Sequence, residues 1–517
     1  MKKKENKYLC QKEWKSILKE IDKINLKGIK KILIKGRYPN NNTFPPLYGI
    51  KPKYEYSKER IEYLCPRSNH DARRYVIPGK NEYENFISKL TDCWENSDSK
   101  KLFPNALSIK ELIKSNKKIL PVSSSILRST LKEKLLTKIY HDSIDKWKRF
   151  TQRYLYEDSI HFNYLLELDV KEFYKRFYVH SITWALSGDK NKIKEVYKDR
   201  KKYKKLKCAR LENSIMDLQD RQTNGIPIGP LGSDILAEII MCRIINNLEN
   251  SIAQDYVGIR FKDDIKILCK NKEDANSILD TFITELNFYD LDINGDKTNI
   301  SQNFSKLPAN EWQKKIITLP KIDCDFKKNP TLGEIMRLDN DLMALLIYMS
   351  ELITPNEGNF WFDFKRRYSK YLIYLVKKNS KSRGRLITWL LDKLNGYPQH
   401  TGIILNIIVS LISSNDAKYL RLIREKGKQL SMKRNFDFCM IWIIYFIGER
   451  YLVKKHVSKL HKIFKELKLE VNNISNNDIK RESIKLIDFI EKNRKKFTGR
   501  KPITSFFMKS FARYDYE

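Results

Sequence analysis

The stretch "RFKDDIKIL", residues 260–268, places two neighbouring aspartates in a run that otherwise has the character of a β-strand. The apolar residues around them predict two strands joined by a tight turn, with Asp263 and Asp264 at its tip. Aspartate is common in turns, so an isolated pair is most simply an exposed turn. Two adjacent like charges repel each other, so the pair predicts a function if another carboxylate lies nearby.

The composition favours a folded protein that binds a polyanion. The chain has 517 residues, of which 41% are hydrophobic, enough for sizeable cores and, by length, for roughly three domains. Lys and Arg number 100 against 63 Asp and Glu, which gives a formal net charge of +37. Such an excess favours nucleic acid as the partner, although a lysine-rich genome would produce the same bias.

The sequence predicts neither secretion nor membrane insertion. Residues 1–21 carry charges without an apolar core after them, and the longest apolar runs, such as residues 439–447, are too short to span a bilayer. The eight cysteines are far apart and include no CxxC pair. We therefore expect free thiols in a cytoplasmic protein that does not bind membranes.

Two kinds of pattern divide the chain. From about residue 61 to 310, short strand-like runs such as "FNYLLELDV" (162–170), "DYVGIRF" (255–261) and "DIKILC" (264–269) alternate with helical patterns. After about residue 330 the strand signal fades and helical patterns follow one another, separated by short connectors. This succession of helical segments is typical of paired helices stacked as an α-solenoid, and an ordinary helical bundle would produce it equally well.

A second carboxylate-bearing segment, "LLELDVKEFYKRF" (165–177), ends a predicted strand at Asp169. This strand end could lie beside the Asp263–Asp264 turn, and three converging carboxylates would need a divalent cation to neutralise them. Ligands made only of oxygen suit Mg²⁺ or Mn²⁺. Two such ions about 3.5–4 Å apart can hold the attacking and leaving oxygens of a phosphoryl transfer.

Two further segments carry weaker signals. Residues 222–241, "QTNGIPIGPLGSDILAEIIM", predict a tight loop containing Gly229 that could lie against a nucleotide, or an ordinary turn before the apolar helix that follows. Lys297, in the turn "INGDK", could act as a charge donor or general acid toward a departing pyrophosphate. Because lysine is abundant in this chain, a surface role is the simpler interpretation of Lys297 alone.

In order and spacing, these segments resemble the palm of reverse transcriptases. An aspartate at a strand end, a G-x-P-x-G-x-x-x-S loop with its helix, an [F/Y]-x-D-D hairpin and an L-x-I-N-x-x-K-T segment follow one another within residues 60–310. The resemblance implies that Asp169, Asp263 and Asp264 are catalytic metal ligands, together with the backbone of Val170. It also implies Mg²⁺ or Mn²⁺ as the cofactor.

A narrower resemblance, to the abortive-infection reverse transcriptases of bacterial phage defence, appears in "RRYVIP" (73–78), "DVKEFYKRFYVHSITWALSG" (169–188) and "GIPIGPLGSDILAEII" (225–240). That family implies an α+β fold, in which reverse-transcriptase-like fingers and palm, here residues 1–310, precede an all-α helical-repeat (HEAT-like) domain, here residues 311–517. It further implies template-independent synthesis of single-stranded DNA from dNTPs, a protein hydroxyl as primer, and thus a product covalently attached to protein. The resemblance also implies a homo-oligomer of three or more chains in the bacterial cytoplasm.

The same resemblance suggests residues that bind nucleotide and product. Arg74 is a candidate for holding the triphosphate, as is its neighbour Arg73, because a guanidinium offers bidentate geometry. Tyr174 matches the bulky residue that crowds the sugar 2′ position, although it could be a core aromatic. Residues 190–207 interleave lysines with Tyr197 and Tyr203, and could hold phosphates and stack bases or form a solvated basic helix.

For the priming hydroxyl we expect a tyrosine on a mobile segment, because the tethered group must reach the metals and then leave room for the growing strand. Tyr8, on the basic N-terminal arm, meets this condition. Tyr514 and Tyr516, at the C-terminal end of the sequence, meet it too. With 28 tyrosines in the chain, a plain arm residue is the simpler interpretation of Tyr8.

Some residues depart from the pattern of templated reverse transcriptases. Ile228 stands where many have glutamine, and Asp234 stands where they have proline after the serine. An aliphatic side chain cannot make the polar contact of glutamine near the incoming nucleotide, which argues against ordinary templated synthesis. Lys262 occupies a variable position of the hairpin, and Phe261 lacks the hydroxyl of tyrosine; neither change touches the carboxylates.

Two other functions stay open. A templated reverse transcriptase of retron or intron type would be favoured by a maturase-like thumb or a Cys/His endonuclease segment after the palm, and neither is evident. A non-catalytic nucleic-acid-binding scaffold would be favoured by loss of a carboxylate, and all three are present.

Overall fold

A computed structural model describes residues 7–22, 25–37, 58–66, 72–98, 100–122, 149–302, 304, 307, 326–352, 359–412, 417–433, 436–453 and 458–497. These residues group into two compact units. The first contains the described residues up to 37, from 58 to 60 and from 76 to 307. The second contains residues 61–66 and 72–75 and everything described from residue 326 onward.

The strands form two sheets. They are β1 (Ile61–Pro66), β2 (Ala72–Ile77), β3 (Ile119–Pro121), β4 (Tyr164–Asp169), β5 (Tyr256–Phe261), β6 (Asp264–Cys269) and β7 (Asn299–Ser301). β1 and β2 pair as a two-stranded sheet, whereas the first unit is built on a five-stranded sheet in the order β3–β5–β6–β4–β7. β3 runs parallel to β5, and the pairs β5–β6, β6–β4 and β4–β7 are antiparallel.

The central strands confirm the strands predicted from the sequence. β4, β5 and β6 lie within the three strand-like runs quoted above, and the first five residues of β5 are buried. Gly258 in β5 is required by close packing, since a Cβ at this position would lie 2.7 Å from the backbone oxygen of Lys266. A side chain here would push β5 and β6 apart, which explains a glycine within a strand.

Helices make up most of the remaining regular structure of the first unit. They span Leu9–Asp22, Leu26–Lys35, Lys80–Asp92, Ile109–Ser115, Tyr156–Asp158, Phe173–Arg176, Ser181–Ser187, Lys190–Lys198, Arg200–Lys205, Lys207–Asp217, Leu231–Ser251 and Lys272–Phe288, with a π-helical stretch at Phe150–Leu155. Leu231–Ser251, called the long helix below, is buried over most of its length. Its apolar residues lie on all sides, the pattern of a helix that crosses a core.

The second unit is helical from residue 326 onward wherever it has regular structure. Its helices span Leu332–Leu352, Asn359–Lys378, Ser380–Lys393, Thr401–Leu411, Ala417–Ser431, Asp437–Val453, Ser458–Glu470 and Asn477–Phe497. In this chain order, the first, third, fifth and seventh helices pack on one another in one row, and the second, fourth, sixth and eighth pack in another. The predicted change to helical structure after residue 330 is therefore confirmed.

The strands β1 and β2 differ from the division expected at residue 310, because the described residues 61–66 and 72–75 group with the C-terminal helices. The reason is backbone hydrogen bonding. The amide of Glu62 donates to Asp478 at 2.8 Å, and the side-chain amide of Asn476 donates to the carbonyl of Glu62 at 3.1 Å. These bonds satisfy polar groups at the edge of β1 that would otherwise be exposed.

A buried ion pair joins β5 to the long helix. Arg260 is completely buried, and its guanidinium donates to the carboxylate of Glu238 at 2.7 Å. The same side chain donates to Cys242 Sγ at 3.2 Å and to the backbone oxygen of Lys262 at 3.1 Å. Arg260 therefore ties the turn between β5 and β6 to the long helix.

No helix among the described residues is both long and apolar enough to cross a membrane.

Removing the charge of Glu238 should destabilise the protein strongly. We expect Glu238→Gln to lower the free energy of unfolding by about 3 kcal/mol, because it leaves Arg260 buried without its counter-charge. Asp217→Asn is the matched control, since Asp217 forms an exposed ion pair with Arg221 and should cost less than about 1 kcal/mol. Urea denaturation of the full chain measures both; equal effects would show that the buried pair is not a major support.

Candidate catalytic site

The predicted aspartates lie at one end of the five-stranded sheet. In the pairing of β4 with β6, Asp169 is directly opposite Asp264, and in the pairing of β5 with β6, Phe261 is opposite Asp264. The turn between β5 and β6 therefore consists of Lys262 and Asp263. Lys262 takes a left-handed backbone conformation with φ of 58°. Residues directly opposite in a sheet point to the same face, so the structure brings the hairpin tip and the end of β4 together as expected.

Asp169 is also contacted by the segment that contains Lys297. The side-chain amide of Asn294 donates to one carboxylate oxygen of Asp169 at 2.9 Å, and Lys297 Nζ donates to the other at 3.1 Å. The backbone amide of Asn294 donates to the carbonyl of Asp169 at 2.8 Å. Val170 is buried and forms a single β-bridge with Ile293. The predicted neighbourhood of Asp169, Val170 and Lys297 is thus formed.

Both aspartates of the hairpin have raised carboxyl pKa values. Burial raises the pKa of Asp263, and the nearby charge of Asp169 raises it further, against the opposing effect of Lys262 and Lys297. Loss of surrounding solvent also raises the pKa of Asp264, to which Asp263 and Asp169 contribute as like charges. Raised carboxyl pKa values at a shared strand end indicate a place where an added cation would be stabilised.

The expected convergence of three carboxylates is only partly present. Among the described residues, no group of three or more His, Cys, Asp and Glu side chains is close enough to hold a metal ion as it stands. Like charges separate unless a cation holds them, and both oxygens of Asp169 are engaged by Asn294 and Lys297. The residues still fit Mg²⁺ or Mn²⁺ in kind, because they offer only oxygen ligands. A cation at Asp169 would have to displace the ammonium group of Lys297 from this carboxylate.

Tyr174 lies close to the hairpin through polar contacts. Its hydroxyl donates to Asp234 Oδ1 at 2.6 Å, and Lys262 Nζ donates to the same oxygen at 2.8 Å. The loop before the long helix is fixed beside it, since the amide of Ile226 donates to the carbonyl of Tyr174 at 2.9 Å. Gly229 in this loop has φ of 122°, a conformation that favours glycine.

Arg74 is not brought to the carboxylates by any described contact. It lies on β2, is more than half exposed and forms an ion pair with Glu62. Residues 61–75, including both partners, belong to the second unit. Its assignment as a triphosphate ligand stays a prediction.

Tyr8 does not lie on a free arm, so this part of the expectation is wrong. It immediately precedes the helix Leu9–Asp22, is 2% exposed and donates its hydroxyl to Asp255 at 2.8 Å. Asp255 precedes β5, whereas Asp263 follows that strand, so about 20 Å of extended backbone separates them. Tyr514 and Tyr516 lie outside the described residues.

The basic segment 190–207 is helical, but its tyrosines are not free to stack on bases. Tyr203 is 3% exposed, and its hydroxyl donates to Glu212 at 2.7 Å. The ring of Tyr197 is covered by the guanidinium of Arg200, 3.8 Å from the ring centre. The expectation of base stacking is therefore wrong for Tyr203. A base could stack on Tyr197 only by displacing the guanidinium of Arg200. The exposed lysines are the groups of this segment that remain available to bind nucleic acid.

Sequence reasoning missed the partners that hold the site. Asn294 stands within the recognised "INGDK" turn, yet only Lys297 was singled out there. Asp234 and Lys262 were noted as departures from the templated pattern, and the structure pairs them with each other. Two features of the sequence could have indicated this pairing. Asp234 is a carboxylate in the first turn of the long helix, and Lys262 is a lysine in the hairpin turn, next to the predicted site residue Asp263.

Comparison with known proteins agrees with this geometry. Residues 114–319 match the family described as reverse transcriptase (RNA-dependent DNA polymerase). No curated protein sequence matches the chain. Among solved structures, telomerase from Candida albicans in complex with a TWJ fragment of telomeric RNA is similar at 12% identity and a TM-score of 0.28, over 80% of this chain and 64% of that one. The chain therefore spans less than two thirds of the length of that telomerase chain. The family match therefore shows a reverse-transcriptase-like domain within residues 114–319.

Proposed function

We propose that the protein polymerises deoxynucleotides in a metal-dependent reaction at the end of β4 and the β5–β6 hairpin. The observation that carries this proposal is the register that sets Asp169 opposite Asp264, with Asp263 in the adjoining turn. Bound by these carboxylates and the carbonyl of Val170, Mg²⁺ or Mn²⁺ would supply charge stabilisation for phosphoryl transfer.

The neighbouring residues have roles that follow from their positions. Lys297, held at Asp169, would bring positive charge to the departing pyrophosphate. The ring of Tyr174 would limit space at the sugar, and the loop containing Gly229 would approach the nucleotide closely because glycine carries no side chain. Arg74 remains our proposed ligand of the triphosphate, because its guanidinium offers bidentate geometry.

We further propose that synthesis needs no template and serves phage defence. Two observations support this: the resemblance to abortive-infection reverse transcriptases, and the apolar Ile228 in the loop. The carbonyl of Ile228 accepts a hydrogen bond from the amide of Val76 at 3.2 Å. This bond fixes the loop backbone, and the aliphatic side chain offers no hydrogen bond to a templating base pair.

The helical unit supports the same family assignment. Its two rows of alternating helices are what paired helical repeats produce, and we propose that they form a HEAT-like array in place of a thumb. Assembly into homo-oligomers of three or more chains in the bacterial cytoplasm belongs to the same proposal.

Priming would come from a protein hydroxyl, but not from Tyr8 in the position described. Reaching the carboxylates would require the helix Leu9–Asp22 to detach and the Tyr8–Asp255 hydrogen bond to break. Tyr514 and Tyr516 remain candidates from the sequence.

Purified protein should incorporate labelled dNTPs in the presence of Mg²⁺ and the absence of any template. We expect Asp263→Asn to reduce incorporation by at least about 100-fold, because even residues that only support metal ligands cost 10- to 100-fold. Asp280→Asn, an exposed aspartate on the helix Lys272–Phe288, is the control and should retain activity.

Thermal unfolding separates loss of catalysis from loss of folding. Asp263 lies in a turn, so Asp263→Asn should leave the melting temperature within a few degrees of wild type. Activity of Asp263→Asn within a few-fold of wild type would contradict the assignment of the site. Incorporation that appears only with an added template would favour a templated enzyme instead.

Labelled DNA should stay with the protein through boiling and detergent if priming is covalent. Tyr8→Phe should keep that label, since the structure buries Tyr8 far from the carboxylates, whereas replacing both Tyr514 and Tyr516 by Phe tests the C-terminal candidates. Label that separates from denatured wild-type protein would rule out protein priming. Loss of label in Tyr8→Phe alone would show that the first helix detaches during the reaction.

Exposed lysines of the basic segment should contribute to binding of single-stranded product. Lys201, Lys204 and Lys205 are exposed on the helix Arg200–Lys205. Binding should weaken with salt with a log–log slope of about −0.7 per phosphate neutralised, and changing these three lysines to Glu should flatten that slope. An identical slope in the variant would place the binding surface elsewhere.

A further inference from the structure

Beside the candidate catalytic hairpin, two side chains donate hydrogen bonds to the same carboxylate oxygen of a third, and the three side chains come from separate elements. Asp234, in the first turn of the long helix, accepts hydrogen bonds on Oδ1 from the hydroxyl of Tyr174 and from Lys262 Nζ, at 2.6 and 2.8 Å. Lys262 Nζ also lies 5.6 Å from the centre of the Tyr174 ring. The side chains of Asp234 and Lys262 are only 20% and 21% exposed. The contact is therefore partly shielded from water.

Two ion pairs connect the long helix with β5 and the turn that follows β5. The contact between Asp234 and Lys262 is one of them. Lys262 pairs with Asp234, and Arg260 pairs with Glu238. Residues two apart on a strand are about 6.6 Å apart, and residues four apart on a helix are about 6 Å apart along the axis. The two spacings match, so both pairs can form together. They fix the height of the hairpin along the long helix.

The backbone of the turn contributes to the alignment. Lys262 has φ of 58°, a left-handed conformation that is uncommon for residues other than glycine and asparagine. A lysine stands here although glycine would be less strained, and its side chain makes the contact with Asp234. Such strain at a site indicates a functional constraint that the surrounding contacts maintain.

We propose that the Asp234–Lys262 pair is a positioning device that holds the Tyr174 ring at a set distance from the Asp263 turn and so sets the choice between deoxyribose and ribose. The inference rests on the proposed polymerase function. Tyr174 has a single O–H, which Asp234 accepts, so the ring cannot yield to a 2′-hydroxyl without breaking that bond. Lys262, one residue before Asp263, holds the same carboxylate, so displacement of the ring also disturbs the turn.

The positioning role predicts that sugar selectivity depends on charge and hydroxyl as well as on ring size. In Asp234→Asn, Lys262→Gly and Tyr174→Phe, the ratio of kcat/KM for dNTP to that for rNTP should fall by about tenfold, because small misplacements of a positioning group are costly. Lys262→Gly keeps the left-handed turn without strain and removes the whole side chain, including the ammonium group that binds Asp234. Lys262→Arg keeps the positive charge, so its dNTP-to-rNTP ratio should stay within about threefold of the wild-type ratio.

The pair and the ring should also act as one unit. The double variant Tyr174→Phe/Lys262→Gly should lose no more selectivity than the more impaired single variant, because both changes break the same arrangement. Arg221→Met, which removes the exposed ion pair with Asp217, is the control and should keep the wild-type ratio. Tyr174→Ala should show the largest loss, since it removes the ring itself.

A binding measurement provides a readout that does not depend on turnover. Equilibrium binding of non-hydrolysable deoxynucleotide and ribonucleotide triphosphates with Ca²⁺ should show the same loss of preference in Asp234→Asn and Lys262→Gly. A wild-type ratio in both variants would overturn the positioning role. Wild-type protein that incorporates no nucleotide but prefers the deoxynucleotide in binding would overturn the proposed polymerase function and leave this inference standing.

Discussion

The candidate site depends on the buried ion pair between Arg260 and Glu238. Arg260 is completely buried, and its guanidinium reaches the helix carboxylate and the backbone oxygen of Lys262 at once. A buried charge pair adds little net stability, but removing one partner is costly. The pair therefore restricts the hairpin to one position rather than simply strengthening the fold. With the hairpin fixed, the sheet register decides that Asp169 faces Asp264, and the remaining contacts refine this arrangement.

Much of this site could be predicted from the sequence because the order of its parts along the chain is distinctive. Alternating apolar residues located β4, β5 and β6, and carboxylates at strand ends located the site. The pairing of Asp234 with Lys262 could not be deduced, because the two residues are 28 positions apart and neither has a local signature. Likewise, Asn294 became identifiable only when backbone pairing placed it at Asp169.

The errors have physical causes too. A basic N-terminal segment indicates an arm, yet Tyr8 packs against Phe162 at 5.0 Å between ring centres and is part of the core. Lysines around Tyr203 hid the apolar face that buries it. Charged residues also obscure the helix Ser458–Glu470 in the sequence, although Leu460, Ile463, Phe464 and Leu467 have the spacing of one buried helical face.

The hairpin of β1 and β2 has a consequence for the order in which the chain can fold. Glu62 is hydrogen-bonded to Asp478, 416 positions later, so this contact cannot form until the ribosome has synthesised residue 478. At about 5–20 residues per second, the edge of β1 waits roughly 20–80 s for its partner. Each helix of the two rows, in contrast, packs on helices close to it in sequence, and such contacts form quickly. Among the described residues, the second unit is therefore completed by its earliest-synthesised strands, and until then the edge of β1 is open to wrong pairing.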